Sequence, residues 1–321
     1  MASRRYLVPL IATLHLALAA SVQAQQWSYI DGSGATITLD DVPQRLITSA
    51  VAAAALIPLG IRPVGIFADS PAEENKPLQG LDLTGIEMVG TAFNEIDIEK
   101  VAALDPDLVV AEFYPINRTW AGGKSVTGEG SPLRDLAPVT GPAQADSIVT
   151  LIEDYEELAE SLGADLSAPQ IAADKAEFER ARDAFQAAVA AKPGLTALAV
   201  WAGTDALHVA APEGAAELMD MRDWGLDLIT PETANDRGYW ETVSWENADK
   251  YQPDLVLIDN RVASNRDDAF AQPMFTAIKA AEAGAVGEWP AFWLRNYRSY
   301  AEQLDNLTAA IEAADENLVA Q

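Results

Sequence analysis

The sequence predicts an α/β protein of two lobes joined by a single long helix, and three features predict it. Short apolar runs of strand length alternate with amphipathic helical patterns from Arg45 to Gly141, and again from Thr196 onward. A sustained helical pattern separates the two stretches, and one short motif occurs once in each. Alternation of strand and helix implies parallel strands with right-handed crossovers, so each lobe is expected to be Rossmann-like.

The N-terminus stands apart from both lobes. Arg4 and Arg5, an apolar run from Tyr6 to Ala20, and Val22, Gln23, Ala24 have the form of a cleaved export signal over residues 1–24. The run is shorter than the roughly 20 residues a spanning helix needs, and it contains Pro9 and His15. No cysteine follows to carry a lipid anchor, so a free periplasmic protein is expected.

The first lobe, residues 25–146, opens with a hairpin pattern: Trp27 and Tyr29 alternate with Ser28, Asp31–Gly34 turn, and Ile37–Leu39 return. Strands follow at Leu46–Ser49, Val64–Ala68, Met88–Gly90, Leu108–Ala111 and Ala137–Gly141, with helices at Val51–Leu59 and Ile98–Leu104. Residues 147–194 are helical. Ser167 and Gln170 have capping-box spacing around Pro169, Ile171, Phe178, Phe185 and Val189 follow at helical intervals, and Pro193 and Gly194 end the run. A helix over about 168–191 spans roughly 36 Å, enough to cross between lobes. The second lobe, residues 195–321, has strands at Leu198–Ala202, Leu207–Ala211 and Leu255–Ile258. Its helices are expected near Ala215–Trp224, Glu246–Tyr251, Met274–Ala283 and Arg295–Asn317.

Composition narrows the function. Removing residues 1–24 takes away two arginines and no acids, so the net charge of −28 becomes −30. Such a chain repels nucleic acid and anionic membrane surfaces. With no cysteine, packing and not disulfides must hold the fold. Only His208 remains after the signal, inside an apolar strand where a satisfied sheet histidine is expected, so a histidine-based catalytic triad or zinc site has little to build on.

The motif joins the lobes. Glu99 lies seven residues before Pro106-Asp107-Leu108-Val109, and Glu246 lies seven before Pro253-Asp254-Leu255-Val256. Each copy reads as a helix opened by an acid, a proline that ends it, and a buried strand. Two copies at equal spacing put two exposed carboxylates in pseudo-equivalent positions.

Taken with the hairpin, the Pro43–Ile47 lead-in and the Leu59–Gly65 turn, this pattern resembles the periplasmic ABC-transporter binding proteins with a helical backbone. That class includes ferric-siderophore, haem and vitamin B12 binders, and the resemblance covers nearly all of residues 25–321. It implies a ligand cleft between the lobes, a monomer, no cofactor, no protein-held metal, no catalysis, and docking of Glu99 and Glu246 on arginines of a permease dimer. Gly238-Tyr239-Trp240 and Trp289–Trp293 are similar to the hydroxamate-siderophore binders, whose aromatics at these places line the cleft; Tyr114 matches a cleft tyrosine. The resemblance therefore implies Tyr114, Trp240 and Trp293 as ligand contacts. The chain lacks the arginine those binders carry within the stretch aligned with Thr91–Asn94, and Arg118, Arg295 and Arg298 are the candidates to replace it. Trp120 is also expected in or beside a loop at a strand end, where α/β sheets place ligands, and Trp201 on or next to a strand.

The expected function is capture of a ferric siderophore, with aromatic faces on its apolar wrap and arginine on its metal-bound oxygens, and delivery to an ABC importer. Haem, with Tyr114 as axial ligand, and vitamin B12 are alternatives within the fold. A secreted hydrolase using paired carboxylates is the alternative of another class.

Overall fold

The first lobe grows from Leu46–Ser49, four residues that are all buried in the computed structural model, which describes residues 26–128, 130–235 and 238–319. The expected export signal lies outside the described residues. Among the described residues no helix is long and apolar enough to cross a membrane.

A hairpin of β1 (Trp27–Ile30) and β2 (Thr36–Leu39) precedes this strand. Asp31 holds its turn, accepting from the backbone N–H of Ser33 at 2.9 Å and of Ala35 at 3.0 Å. Next come β3 (Leu46–Ser49), α1 (Ala50–Leu56), β4 (Gly65–Ala68), β5 (Glu87–Thr91), α2 (Ile98–Ala103) and β6 (Leu108–Val110). A short hairpin follows, β7 (Phe113–Tyr114) with β8 (Thr119–Trp120), then α3 (Lys124–Thr127), α4 (Pro132–Leu136) and β9 (Val139–Thr140). The sheet order is β5-β4-β3-β6-β9, parallel throughout. Ser49 sends the chain from strand to helix by capping α1, its hydroxyl accepting from Ala52 N–H.

Two helices link the lobes, α5 (Ile148–Ser161) and α6 (Pro169–Ala190). The 22 residues of α6 measure about 33 Å. The expected capping box does not form. Ser167 Oγ donates instead to Asp165 Oδ1 at 2.6 Å, and Gln170 Nε2 donates to Asp174 Oδ1 at 2.8 Å. The local turn made by Asp165 outcompetes the cap for the serine hydroxyl, and Pro169 alone starts the helix.

The second lobe contains β10 (Thr196–Ala202), β11 (Ala206–Ala210), α7 (Ala216–Asp223), β12 (Asp227–Leu228), β13 (Trp240–Ser244), β14 (Leu255–Asp259), α8 (Asn265–Ala271), α9 (Lys279–Glu282), β15 (Val286–Trp289) and α10 (Tyr297–Ala313). Its order is β13-β11-β10-β14-β15, with β12 beside β10. This sheet is mixed, not parallel throughout: β11 runs antiparallel to both β10 and β13. Only Gly203–Asp205 separate β10 from β11, too short for a crossover, so the chain must return as a hairpin. Two expected helices are also weaker than read. Trp245–Lys250 is a 3₁₀ segment broken at Asn247, and Ile278 divides a 3₁₀ turn, Phe275–Ala277, from α9.

One apolar cluster runs through both lobes and the linking helices, including Leu46, Tyr155, Phe178, Phe185, Leu257 and Tyr300. Phe178 of α6 meets Tyr297 and Tyr300 of α10 at 5.2 and 5.1 Å between ring centres. The motif aspartates also acquire a role. Asp107 accepts from Gln44 and Arg45 N–H at 2.7 and 3.0 Å, and Asp254 accepts from Thr196 N–H and hydroxyl at 3.0 and 2.8 Å. Each pins the start of the strand beside it.

Candidate functional site

The second lobe builds an aromatic platform from residues at its strand ends. Register pairs Trp201 of β10 with His208 of β11, and their rings stack at 4.6 Å and 17°. Trp240, the first residue of β13, stands edge-on to both at 6.2 and 6.3 Å. The loop after β15 brings Phe292 against Trp289 at 5.7 Å, Tyr239 at 5.7 Å and Trp240 at 6.4 Å. Arg261, two residues past β14, holds its guanidinium 5.0 Å from the Phe292 ring centre and 6.0 Å from that of Trp240. Asp259 sets that pose, accepting from Arg261 Nε at 2.8 Å. His208 is the sheet histidine expected, with Nδ1 3.2 Å from Thr242 Oγ1. Burial lowers its pKa, so it is neutral at pH 7.

The first lobe contributes Tyr114, half-buried on β7. Burial pushes its phenol far up and the nearby Glu112 carboxylate adds to this, while Arg295 opposes it; Asp69 and the second lobe's Tyr239 also raise it. With its pKa raised in this way, the phenol stays a neutral hydrogen-bond donor. Beneath lies a buried interlobe ion pair: Arg295 Nε and Nη2 donate to Glu112 at 2.5 and 2.7 Å, with neither side chain more than 1% exposed. Lys76 of the first lobe sits 5.9 Å from the Trp293 ring centre of the second. Phe93, Ile116 and Val262 expose large apolar side chains in loops after β5, β7 and β14. Asn94, Arg118 and Phe292, in loops at the strand ends, adopt positive φ of 64°, 50° and 64°, a conformation that accumulates at ligand-handling loops.

The residues singled out in the sequence divide into three groups. Tyr114 and Trp240 lie half-buried in the arrangement just described. Trp293 and Arg295 are buried beneath it: the Trp293 indole N–H is taken by Asn260 Oδ1 at 2.8 Å, and Arg295 spends its third contact on the Leu294 carbonyl at 2.6 Å. Arg118 is exposed on the β7–β8 turn, and among the described residues its guanidinium has no ion-pair or hydrogen-bond partner. Arg298 is turned to the linking helix, bonded to Asp174 at 3.1 Å. Trp120 ends the two-residue strand β8 beside a loop, 5% exposed and packed 5.1 Å from Phe113. Glu99 and Glu246 are both exposed, in the first turns of α2 and of the 3₁₀ segment after β13. Arg261 escaped the sequence reading, although its place just beyond the strand Leu255–Asp259 was signal enough.

Residues 65–291 match the periplasmic binding protein family. Among solved structures, DesE, a ferric-siderophore receptor protein from Streptomyces coelicolor, is 27% identical with a TM-score of 0.81, covering 90% of this chain and 99% of its own. The petrobactin-binding protein YclQ from Bacillus subtilis is 16% identical with a TM-score of 0.66, covering 90% and 99%. PiuA, an iron uptake ABC transporter substrate-binding protein from Streptococcus pneumoniae, is 19% identical with a TM-score of 0.64, covering 89% and 99%. At those identities the last two establish the fold alone. No curated protein matches the sequence. A family match over most of the chain, falling on two α/β lobes with linking helices, leads to one assignment: this chain belongs to the periplasmic binding protein family.

Proposed function

We propose that the chain is a periplasmic solute-binding protein that captures a ferric siderophore of hydroxamate type and delivers it to an ABC importer without chemical change. The observation that carries this is the cluster of half-buried Trp201, Trp240 and Phe292 beside the Arg261 guanidinium, backed by the buried Trp289, together with half-buried Tyr114 in the other lobe. Aromatic faces suit the apolar wrap of such a complex, and guanidinium and phenol donors suit its oxygens. Likeness to a ferric-siderophore receptor at 27% identity supports the same reading.

The charge balance favours hydroxamates. Arg261 and Arg295 are already paired with Asp259 and Glu112, and Asp69 adds negative charge near Tyr114. A ferric tris-hydroxamate centre is uncharged, whereas a tris-catecholate is an anion that Arg261 and Arg295, already paired, would answer weakly. That leaves the exposed Arg118 and the half-buried Lys76, both outside an ion pair among the described residues. Haem and vitamin B12 are not favoured. Tyr114 resists the deprotonation that axial ligation requires, and His208 is stacked on Trp201 with Nδ1 against Thr242. Nor does a hydrolase fit: Glu217 and Asp220, whose pKa values are raised by burial, accept from Phe292 N–H and from Tyr300 OH and Ile148 N–H inside the core.

Titration with a ferric trihydroxamate should quench tryptophan emission saturably at micromolar concentration or below, a binding free energy of about 8 kcal/mol or more. Ferric catecholates and citrate should bind more weakly. Equal or tighter binding of a ferric tris-catecholate would refute the hydroxamate assignment, and no saturable response to any ferric siderophore would refute the siderophore. Glu99 and Glu246 are proposed to dock on the importer. Glu99→Lys with Glu246→Lys should reduce uptake while leaving ligand affinity unchanged, since close interfacial charge pairs couple by about 1.5–7 kcal/mol; unchanged uptake would remove the docking role.

A further inference from the structure

Phe292 is a poor residue for the backbone it adopts. Its φ of 64° puts a bulky side chain in the left-handed region, which glycine or asparagine would occupy more cheaply. Yet its ring joins Tyr239, Trp240 and Trp289 and lies under Arg261, so the platform needs both the ring and the bend that presents it. Something must hold the bend.

Glu217 sits in the first turn of α7, 1% exposed, and its Oε1 accepts the Phe292 N–H at 2.6 Å. A buried carboxyl is costly, and a carboxamide or a hydroxyl could satisfy one N–H. We infer that Glu217 is the positioning residue of the ligand platform, fixing Phe292 in its left-handed conformation and thereby the aromatic face presented to the siderophore. The inference rests on the siderophore reading above only for the identity of the ligand.

The chemistry adds a dependence on pH. Burial raises the Glu217 pKa to about 7, while its bond from Phe292 N–H pulls the other way. The charged groups around it are Arg295, which favours the carboxylate, and Asp259, which opposes it. Tyr300 of α10 also feels its charge. Arg295 and Asp259 are themselves paired with Glu112 and Arg261. Above neutrality the carboxylate makes a charge-assisted bond to Phe292. Below it the protonated acid is a weaker acceptor and the bend is held less firmly.

The test uses the full chain and two readouts. Near-ultraviolet circular dichroism of the ligand-free protein should show the aromatic band changing across a midpoint near pH 7, with far-ultraviolet signal constant. Glu217→Gln, isosteric and still an acceptor, should fold and lose that transition. Glu217→Ala should alter the aromatic band at every pH. Affinity for a ferric trihydroxamate should rise from acid to alkaline pH in the parent, stay flat and within about threefold of it in Glu217→Gln, and fall about tenfold or more in Glu217→Ala. A transition that persists in Glu217→Gln, or an unaltered aromatic band and affinity in folded Glu217→Ala, overturns the inference. If the parent binds no ferric siderophore, the functional reading falls while the dichroism still decides the role of Glu217.

Discussion

The two lobes start alike and diverge at one turn. In each, the aspartate of a Pro-Asp-Leu-Val motif pins the first residues of the strand alongside, Gln44 and Arg45 in one and Thr196 in the other. In the first lobe β3 then runs straight into a capped helix, giving a crossover and a sheet parallel throughout. In the second, Gly203–Asp205 fold β10 back on itself as a hairpin. An antiparallel strand can leave one face open to solvent where a helix-covered parallel strand cannot. That open face carries Trp201, His208 and Trp240, all half-buried. The motif aspartates thus serve the scaffold, and the aromatic cluster lies where the lobes diverge.

The largest effect should come from where the lobes meet. Glu112→Gln leaves the buried Arg295 without a counter-charge, so stability to denaturant should fall by about 3–5 kcal/mol. Glu112→Leu combined with Arg295→Met should recover much of it, because removing both charges also removes their desolvation cost. A loss under about 1 kcal/mol in the single variant would mean that the pair does not tie the lobes.

Ligand affinity should be unevenly shared. Trp240 touches Trp201, His208, Trp289 and Phe292, so Trp240→Ala should cost about 1–4 kcal/mol in a fluorescence or calorimetric titration. Tyr114→Phe removes one hydroxyl and should cost about 0.5–1.5 kcal/mol. The reverse order would move the principal binding surface to the first lobe.

What the sequence made legible follows the same divide. Leu46–Ser49 and Leu255–Ile258 were read closely because a strand covered on both faces must be apolar along its length, a local signal. The turn at Gly203 was equally local, yet the antiparallel return it forces went unread. The surroundings of Trp120 and Trp293 are illegible in sequence for the opposite reason. Trp120 faces Phe113 across a hairpin of two-residue strands too short to leave a pattern, and only tertiary folding brings Asn260 onto Trp293. Glu112 and Arg295 meet across 183 residues, and no periodicity announces such a pair. Glu217 likewise reads as an ordinary acid in a helix's first turn until Phe292, 75 residues on, is found against it.

Smaller effects should separate the two motif aspartates. Asp254 is 4% exposed and also accepts from Val319 N–H at 3.1 Å, whereas the bonds of Asp107 are exposed. Asp254→Asn should therefore cost about 1–3 kcal/mol of stability, and Asp107→Asn about 1 kcal/mol or less. Equal costs would show that burial does not distinguish the copies.

The smallest expected effect is on shape. Hinges that close on a ligand are a few loop residues free to change φ and ψ. Here the lobes are joined by α6, whose inner face is packed on α10 through Phe178, and by contacts that bypass the helix altogether. Asn296 Nδ2 donates to the Ala54 carbonyl at 3.0 Å, Asp220 takes Ile148 N–H and Tyr300 OH at 2.9 Å each, and Arg295 grips Glu112. Opening the cleft would break these buried bonds together, each costing about 1–3 kcal/mol once unsatisfied. X-ray scattering curves with and without a ferric siderophore should therefore nearly superimpose, with ligand accommodated by rim loops carrying Phe93, Ile116 and Val262. A marked fall in radius of gyration on binding would show that the lobes swing, and that the buried contacts between them are remade in a closed state.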